Sequence, residues 1–237
     1  METHASIDKA KAYFDVQLTR PESARRVALG PFITISRESG SGGSALAEEL
    51  SRRLDRFLTV EQPHWTVFDR NLVEKMLEHY QLAASLSRFL PEDKVSEIDS
   101  SVGEILGLHP SIWTLVHQTN STMRRLAGMG NVILVGRGAN FATAGLGHGL
   151  HVRLIGSPER RARRIGTLRG LPAELALAHN RKADAARRDY VRSFFDADID
   201  DPATYDLMVN MDRFTIEQAA DLVIALLQSR GELVLPA

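Results

Sequence analysis

The clearest capacity for chemistry lies in one run, Ser36-Arg37-Glu38-Ser39-Gly40-Ser41-Gly42-Gly43-Ser44. The small residues from Ser39 to Ser44 let successive backbone N–H groups turn toward one point and form a nest for phosphate. A helix is expected directly after them, and its N-terminus adds partial positive charge at the same place. The general phosphate-binding loop reads G-x-x-x-x-G-K-[ST]. This run keeps the second Gly at Gly42 and the hydroxyl at Ser44, but has Arg37 where the first Gly stands and Gly43 where the Lys stands. The Lys normally reaches the β- and γ-phosphates. Another cation must supply that charge, and Arg37 is the nearest. A glycine-rich turn from strand to helix is also a common structural device, so the loop alone leaves both readings open.

Phosphoryl transfer needs an anion nest, cations around the moving group, and usually Mg²⁺ held by a hydroxyl and a carboxylate. Ser44 is the metal-side hydroxyl, unless it only caps its helix, and Glu38 is a weaker metal candidate. Cations are concentrated in one stretch. From Arg153 to Arg192 ten Arg and one Lys face four acids, a local net of +7 in a chain whose net charge is −1. Such a segment in a near-neutral protein points to a local anionic ligand. Within it, Arg181, Asp184, Arg187 and Arg188 are spaced to share one helical face. Arginines there would neutralise charge in a transition state. The alternative is a solvated basic helix with internal ion pairs. Asp69 ends an apolar run and could meet an acceptor or a metal-bound water, or simply cap a helix.

The elements that must position these groups alternate. Phe32–Ile35, Trp65–Phe68, Val132–Val135, His151–Ile155 and Tyr205–Val209 read as short strands. Helices are read over 45–54, 72–80, 91–106, 111–127 and 215–227, another starts at Ser157, and 172–195 reads as helical and arginine-rich. Ser157-Pro158-Glu159 opens one of them with a cap, a first-turn Pro and an acid at the positive end. Thr215 and Gln218 fit a capping box. Alternating strands and helices predict an α/β protein with a parallel sheet covered by helices on both faces. Ligands of such sheets bind at the carboxyl ends of the strands, here after Ile35, Phe68, Val135 and Ile155. Residues 5–18 have helical spacing and Pro21 interrupts it, so residues 1–28 read as an N-terminal helical arm before one domain over 29–237.

Ile33-Thr-Ile-Ser-Arg-Glu-Ser-Gly-Ser-Gly-Gly, Phe68-Asp-Arg-Asn-Leu-Val, Ile133-Leu-Val-Gly-Arg-Gly and Tyr205-Asp-Leu-Met-Val-Asn-Met-Asp occur in this order. Together they resemble the cytidylate kinase-like family, whose loop also lacks the lysine. The resemblance runs from about Pro31 to Leu227. It implies a P-loop kinase fold with a helical insert over about 91–128 and a lid over about 157–196. It also implies ATP and Mg²⁺ as cofactors and phosphoryl transfer to a nucleoside monophosphate, with CMP or dCMP favoured. By the same resemblance Arg137 contacts the acceptor's phosphate, Asp69 and Arg70 lie on the acceptor side, and Arg181, Asp184, Arg187 and Arg188 belong to the lid. Cytidylate kinases carry carboxylates on both sides of the Gly-Arg pair, where this chain has Val135 and Gly138. Two alternatives therefore stand beside the first reading: nucleotide binding or sensing without transfer, and a kinase of another small metabolite.

The rest of the sequence narrows the classes. It has 237 residues, 43% hydrophobic and 25% charged, ordinary for one globular domain. No cysteine is present, which removes disulfides, a thiol nucleophile and thiolate metal sites. The eight His show no metal-ligand spacing, and no G-x-S-x-G elbow occurs. No apolar run reaches the ~18–20 residues of a membrane span, and the first twenty residues lack the apolar core of a signal peptide. A cytoplasmic protein acting on a small nucleotide is expected, with no nucleic-acid or membrane partner. The arm could pack on a partner subunit of a homodimer or on its own domain.

Overall fold

The computed structural model describes residues 9–10, 12–13, 30–59, 62–69 and 112–233. The strands are β1 (Phe32–Arg37), β2 (Thr66–Asp69), β3 (Val132–Val135), β4 (Gly149–Ile155) and β5 (Leu207–Asn210). The helices are α1 (Gly43–Leu54), α2 (Ile112–Met129), α3 (Ala139–Thr143), α4 (Pro158–Arg169), α5 (Ala173–Phe195) and α6 (Ile216–Ser229). All four strand pairings are parallel and the order is β2-β3-β1-β4-β5. The helices expected over 72–80 and 91–106 lie outside the described residues.

Strand alternation divides the core in two. Ile33, Ile35, Ile133, Val135, Leu150, Val152 and Leu154 face one side and pack on Leu46, Leu50 and Leu54 of α1 and Ala219, Val223 and Leu227 of α6. Phe32, Val132 and Leu134 face the other and pack on Met123, Leu126 and Ala127 of α2 and Ala139 and Ala142 of α3. Ala10 and Tyr13 are buried in this second core, and Tyr13 donates its hydroxyl to Gly130 O at 2.6 Å. These two arm residues therefore pack on their own domain.

Boundary differences have local causes. β1 runs two residues beyond Ile35 because Ser36 and Arg37 pair with Arg153 and Leu154 of β4. Tyr205 stays outside β5, its hydroxyl donating to Ile199 O at 2.8 Å. Ser157 holds the N-cap position of α4, but its side chain makes no capping bond; its N–H instead donates to Asp212 Oδ2 at 2.9 Å. The Thr215–Gln218 capping box is formed in both directions. α4 stops at Gly170, whose φ of +64° suits a residue without Cβ. Pro172 then starts α5, so the two basic helices form a hairpin.

Candidate functional site at the carboxyl ends of β1 and β3

The glycine run forms a tight turn between β1 and α1. Ser41 donates both its N–H, at 3.2 Å, and its hydroxyl, at 2.8 Å, to Glu38 O. Gly40 and Gly42 have φ of +81° and +98°, a region that glycine enters without strain. Space forbids side chains as well: a Cβ on Gly40 would strike Arg161 O, and one on Gly42 would strike the Arg164 guanidinium. The turn leaves the first N–H groups of α1 without a side-chain cap. A helix start of that kind fits a phosphate.

The loop is held from behind by the α4–α5 hairpin. Asp184 is buried, accepts Ser39 N–H at 2.6 Å, and pairs with Arg161 at 2.6 Å and Arg187 at 2.8 Å. Arg161 is also buried and donates to Ser39 O at 3.0 Å and Gly156 O at 2.8 Å. Glu38 Oε2 accepts Gly156 N–H at 2.8 Å and lies 3.3 Å from Arg161 Nε. Asp184, Arg161 and Glu38 each have an opposite charge and a backbone partner, which is what burial of ions requires.

At the carboxyl ends of β1 and β3 lies a cavity of about 390 Å³, lined among others by Arg37, Arg137, Asn140, Arg187, Tyr190 and Ile199. The Arg37 guanidinium forms no hydrogen bond or ion pair of its own among the described residues. Its pKa is pushed down to about 10, first by burial and then by Arg187, with Asp69 opposing and Arg137 assisting. Arg137 adopts φ +56° and lies 5.5 Å from the centre of the Tyr190 ring. A cavity that gathers three guanidinium groups is complementary to an anion.

The structure thus brings Arg37, Arg137 and Arg187 to one cavity, and Ser39 to Ser44 to the loop beside it. Arg181 and Arg188 are exposed on α5 and do not line the cavity. Asp184 faces the back of the loop. Arg70 lies outside the described residues, while Asp69 ends β2 beside Val135 of β3. Sequence reasoning singled out Gly40 and Ser41 but passed over Arg160, Arg161, Arg163, Arg164 and Asp212, which line with them a second recess of about 290 Å³. The +7 segment was the available signal, but charge density does not say which helix face meets the loop.

The described donors fit the implied cofactors in kind. ATP phosphates match the loop's N–H groups and the arginines around them. For Mg²⁺ the chain offers the exposed Ser44 hydroxyl in the first turn of α1 and the Asp69 carboxylate. No group of three His, Cys, Asp or Glu converges among the described residues. A Mg²⁺ bound largely by phosphates and waters needs no such cage. No described helix is long and apolar enough to cross a membrane.

Comparison with known proteins agrees with this geometry. The chain resembles the solved structure of an uncharacterized protein from Eubacterium ventriosum, with 19% identity and a TM-score of 0.62 over 84% of this chain and 99% of that one. Shikimate kinase from Bacteroides thetaiotaomicron aligns with 17% identity and a TM-score of 0.47 over 84% of this chain and 98% of that one. No match was found among curated proteins. The sequence profile of the cytidylate kinase-like family matches residues 32–213. With that match, a five-stranded parallel sheet and the glycine turn after β1, the fold is of the P-loop kinase type and the chain belongs to the cytidylate kinase-like family.

Proposed function

We propose that the protein transfers a phosphoryl group from ATP to a nucleoside monophosphate, with CMP or dCMP favoured by the family. The observation that carries this reading is the Arg37 guanidinium, unpaired among the described residues in a cavity that Arg137 and Arg187 also line. A cation held out of water and without an anion is costly to keep, and a bound phosphate offsets that cost. In this reading the N–H groups of Gly40 to Ser44 hold the donor phosphates. Arg37 and Arg187 face the transferring group, Arg137 holds the acceptor's phosphate, and Asp69 and Arg70 border the acceptor. Mg²⁺, when bound beside Ser44, neutralises phosphate charge. The hairpin of α4 and α5 covers the loop and excludes water from the reacting groups.

The test is ADP formation from Mg-ATP with a panel of nucleoside monophosphates and small hydroxylated or phosphorylated metabolites. Acceptor-dependent ADP with CMP or dCMP is expected. Turnover only with a different metabolite would move the assignment to a kinase of that compound.

Nucleotide binding without transfer is the second reading, and two residues favour it. Val135 is buried in the core, and a Cβ at Gly138, whose φ is +66°, would run into the Phe195 ring. Position 138 has no room for the carboxylate that cytidylate kinases carry there, and position 135 holds a buried apolar side chain in place of one. ATP binding measured by calorimetry, with no ADP from any acceptor, would support this reading over the first.

A further inference from the structure

Gly43 is the first residue of α1. Its φ is not positive, so the backbone does not demand glycine there. What demands it is Arg37. A Cβ built on Gly43 would lie 2.9 Å from Arg37 Cγ and 3.3 Å from its Cβ and Cδ. A Cβ built on Gly136 would fall against Arg37 Nη1 and Cζ. The stem of Arg37 therefore passes over the first residue of α1, and its guanidinium rests on the turn between β3 and α3. Both contacts exist only because two side chains are missing.

Gly43 is also the position where the general loop carries its lysine. A lysine stem there would start in the volume that the Arg37 stem fills, so the two cations exclude each other. We infer that Arg37 is the resident replacement for the loop lysine, and that Gly43 and Gly136 are positioning residues that keep its slot open. Arg37 enters from the last residue of β1 rather than from α1, and its stem packs on Gly43 of the same loop. Its rigid fork can hold two phosphate oxygens at once, where a lysine offers a point charge. This inference rests on the reading of the loop as a phosphate site.

The mutual exclusion gives a test that depends on the sign of an effect. Binding of inorganic pyrophosphate is measured by calorimetry, and ADP formation with the best acceptor is measured in parallel. The proteins are wild type, Arg37→Ala, Gly43→Lys and the double variant, each checked for folding by thermal melting. Arg37→Ala is expected to weaken pyrophosphate binding and to lower turnover about a hundredfold. Gly43→Lys, which restores the general loop sequence, is expected to be harmful in wild type and beneficial in the Arg37→Ala background. If Gly43→Lys fails to fold, Gly43→Ala replaces it, with a smaller loss that disappears when Arg37 is also Ala. Gain of binding from Gly43→Lys in both backgrounds would overturn the inference, as would unchanged binding in Arg37→Ala. Absence of ADP in every protein would end the transfer reading alone, because pyrophosphate binding still decides the slot. Absence of pyrophosphate binding in wild type would end the inference itself.

Discussion

The Ser39 N–H donates to Asp184 Oδ1 at 2.6 Å across 145 residues of chain, fastening the middle of α5 to the phosphate loop. The same carboxylate meets Arg161 and Arg187, so one buried anion joins the loop, α4 and α5.

Neutralising that anion leaves Arg161 buried with only the longer Glu38 pairing, at 3.3 Å. Removing one member of a buried pair costs about 3–5 kcal/mol. Asp184→Asn is therefore expected to lower unfolding stability by roughly 3 kcal/mol, read from urea denaturation, and to loosen the glycine loop. Arg161→Ala is expected to fall in the same range, because Asp184 then loses its shorter pairing. A change within about 0.5 kcal/mol, typical of a surface site, would mean that the carboxylate does not fasten the loop.

Arg187 and its neighbours on α5 separate by geometry. Arg187 lines the cavity, whereas Arg181 and Arg188 are exposed. Alanine at 187 is expected to cut turnover by about a hundredfold, as loss of a transition-state contact does. Alanine at 181 or 188 is expected to change it by less than about threefold, with salt reducing the effect further. Equal losses at all three positions would indicate that the hairpin rotates when nucleotide binds.

Much of this was legible in the sequence. Val132–Val135 was readable to the residue because its apolar run is bounded by Gly130-Asn131 and by Gly136. α6 was legible from its capping box, and the expected ligand edge followed from reading the strands to end at Ile35 and Val135. Other features depend on long-range packing. β1 reaches Arg37 only through its pairing with β4, and α3 is too short to show periodicity. The choice between Arg161 and Arg181 as the loop's partner is made where α4 meets α5. There Gly166 sits beside Leu171 O, and Ala176 is fully buried. A run of arginines has the same composition whichever side faces inward.

His151 gives the fold a dependence on acid. Its ring accepts from or donates to Thr34 Oγ1 at 2.8 Å and stands edge-on to Phe32. Burial pushes its pKa below the usual 6.5, with Asp206 opposing and Arg230 assisting. The unfolded chain then binds a proton at a pH where the folded protein does not, so stability rises with pH across that interval. Unfolding free energy is expected to fall as pH drops below about 6.5 toward the lower folded value. His151→Gln is expected to flatten that fall, as measured by denaturation between pH 7 and pH 5, roughly the histidine range. An unchanged slope would assign the acid sensitivity elsewhere.

Arg37 carries the opposite balance of stability and activity. Its folded pKa of about 10 lies below the ordinary arginine range, chiefly because burial penalises the charge. Below pH 10 the guanidinium is protonated in both states and the burial penalty is present in full. Above about pH 10 the folded form releases its proton before the unfolded chain does, so this group's contribution to stability rises with pH. Arg37→Met keeps the stem between Gly43 and Gly136 and removes the charge. The variant is expected to melt at or above the wild-type temperature at neutral pH while turnover falls about a hundredfold or more. The wild-type advantage in slope above pH 10 should vanish with it. A group retained against its own cost to folding is what a phosphate-facing cation should be. A variant that instead melts well below wild type would make Arg37 a structural residue, with the anion site resting on Arg137 and Arg187.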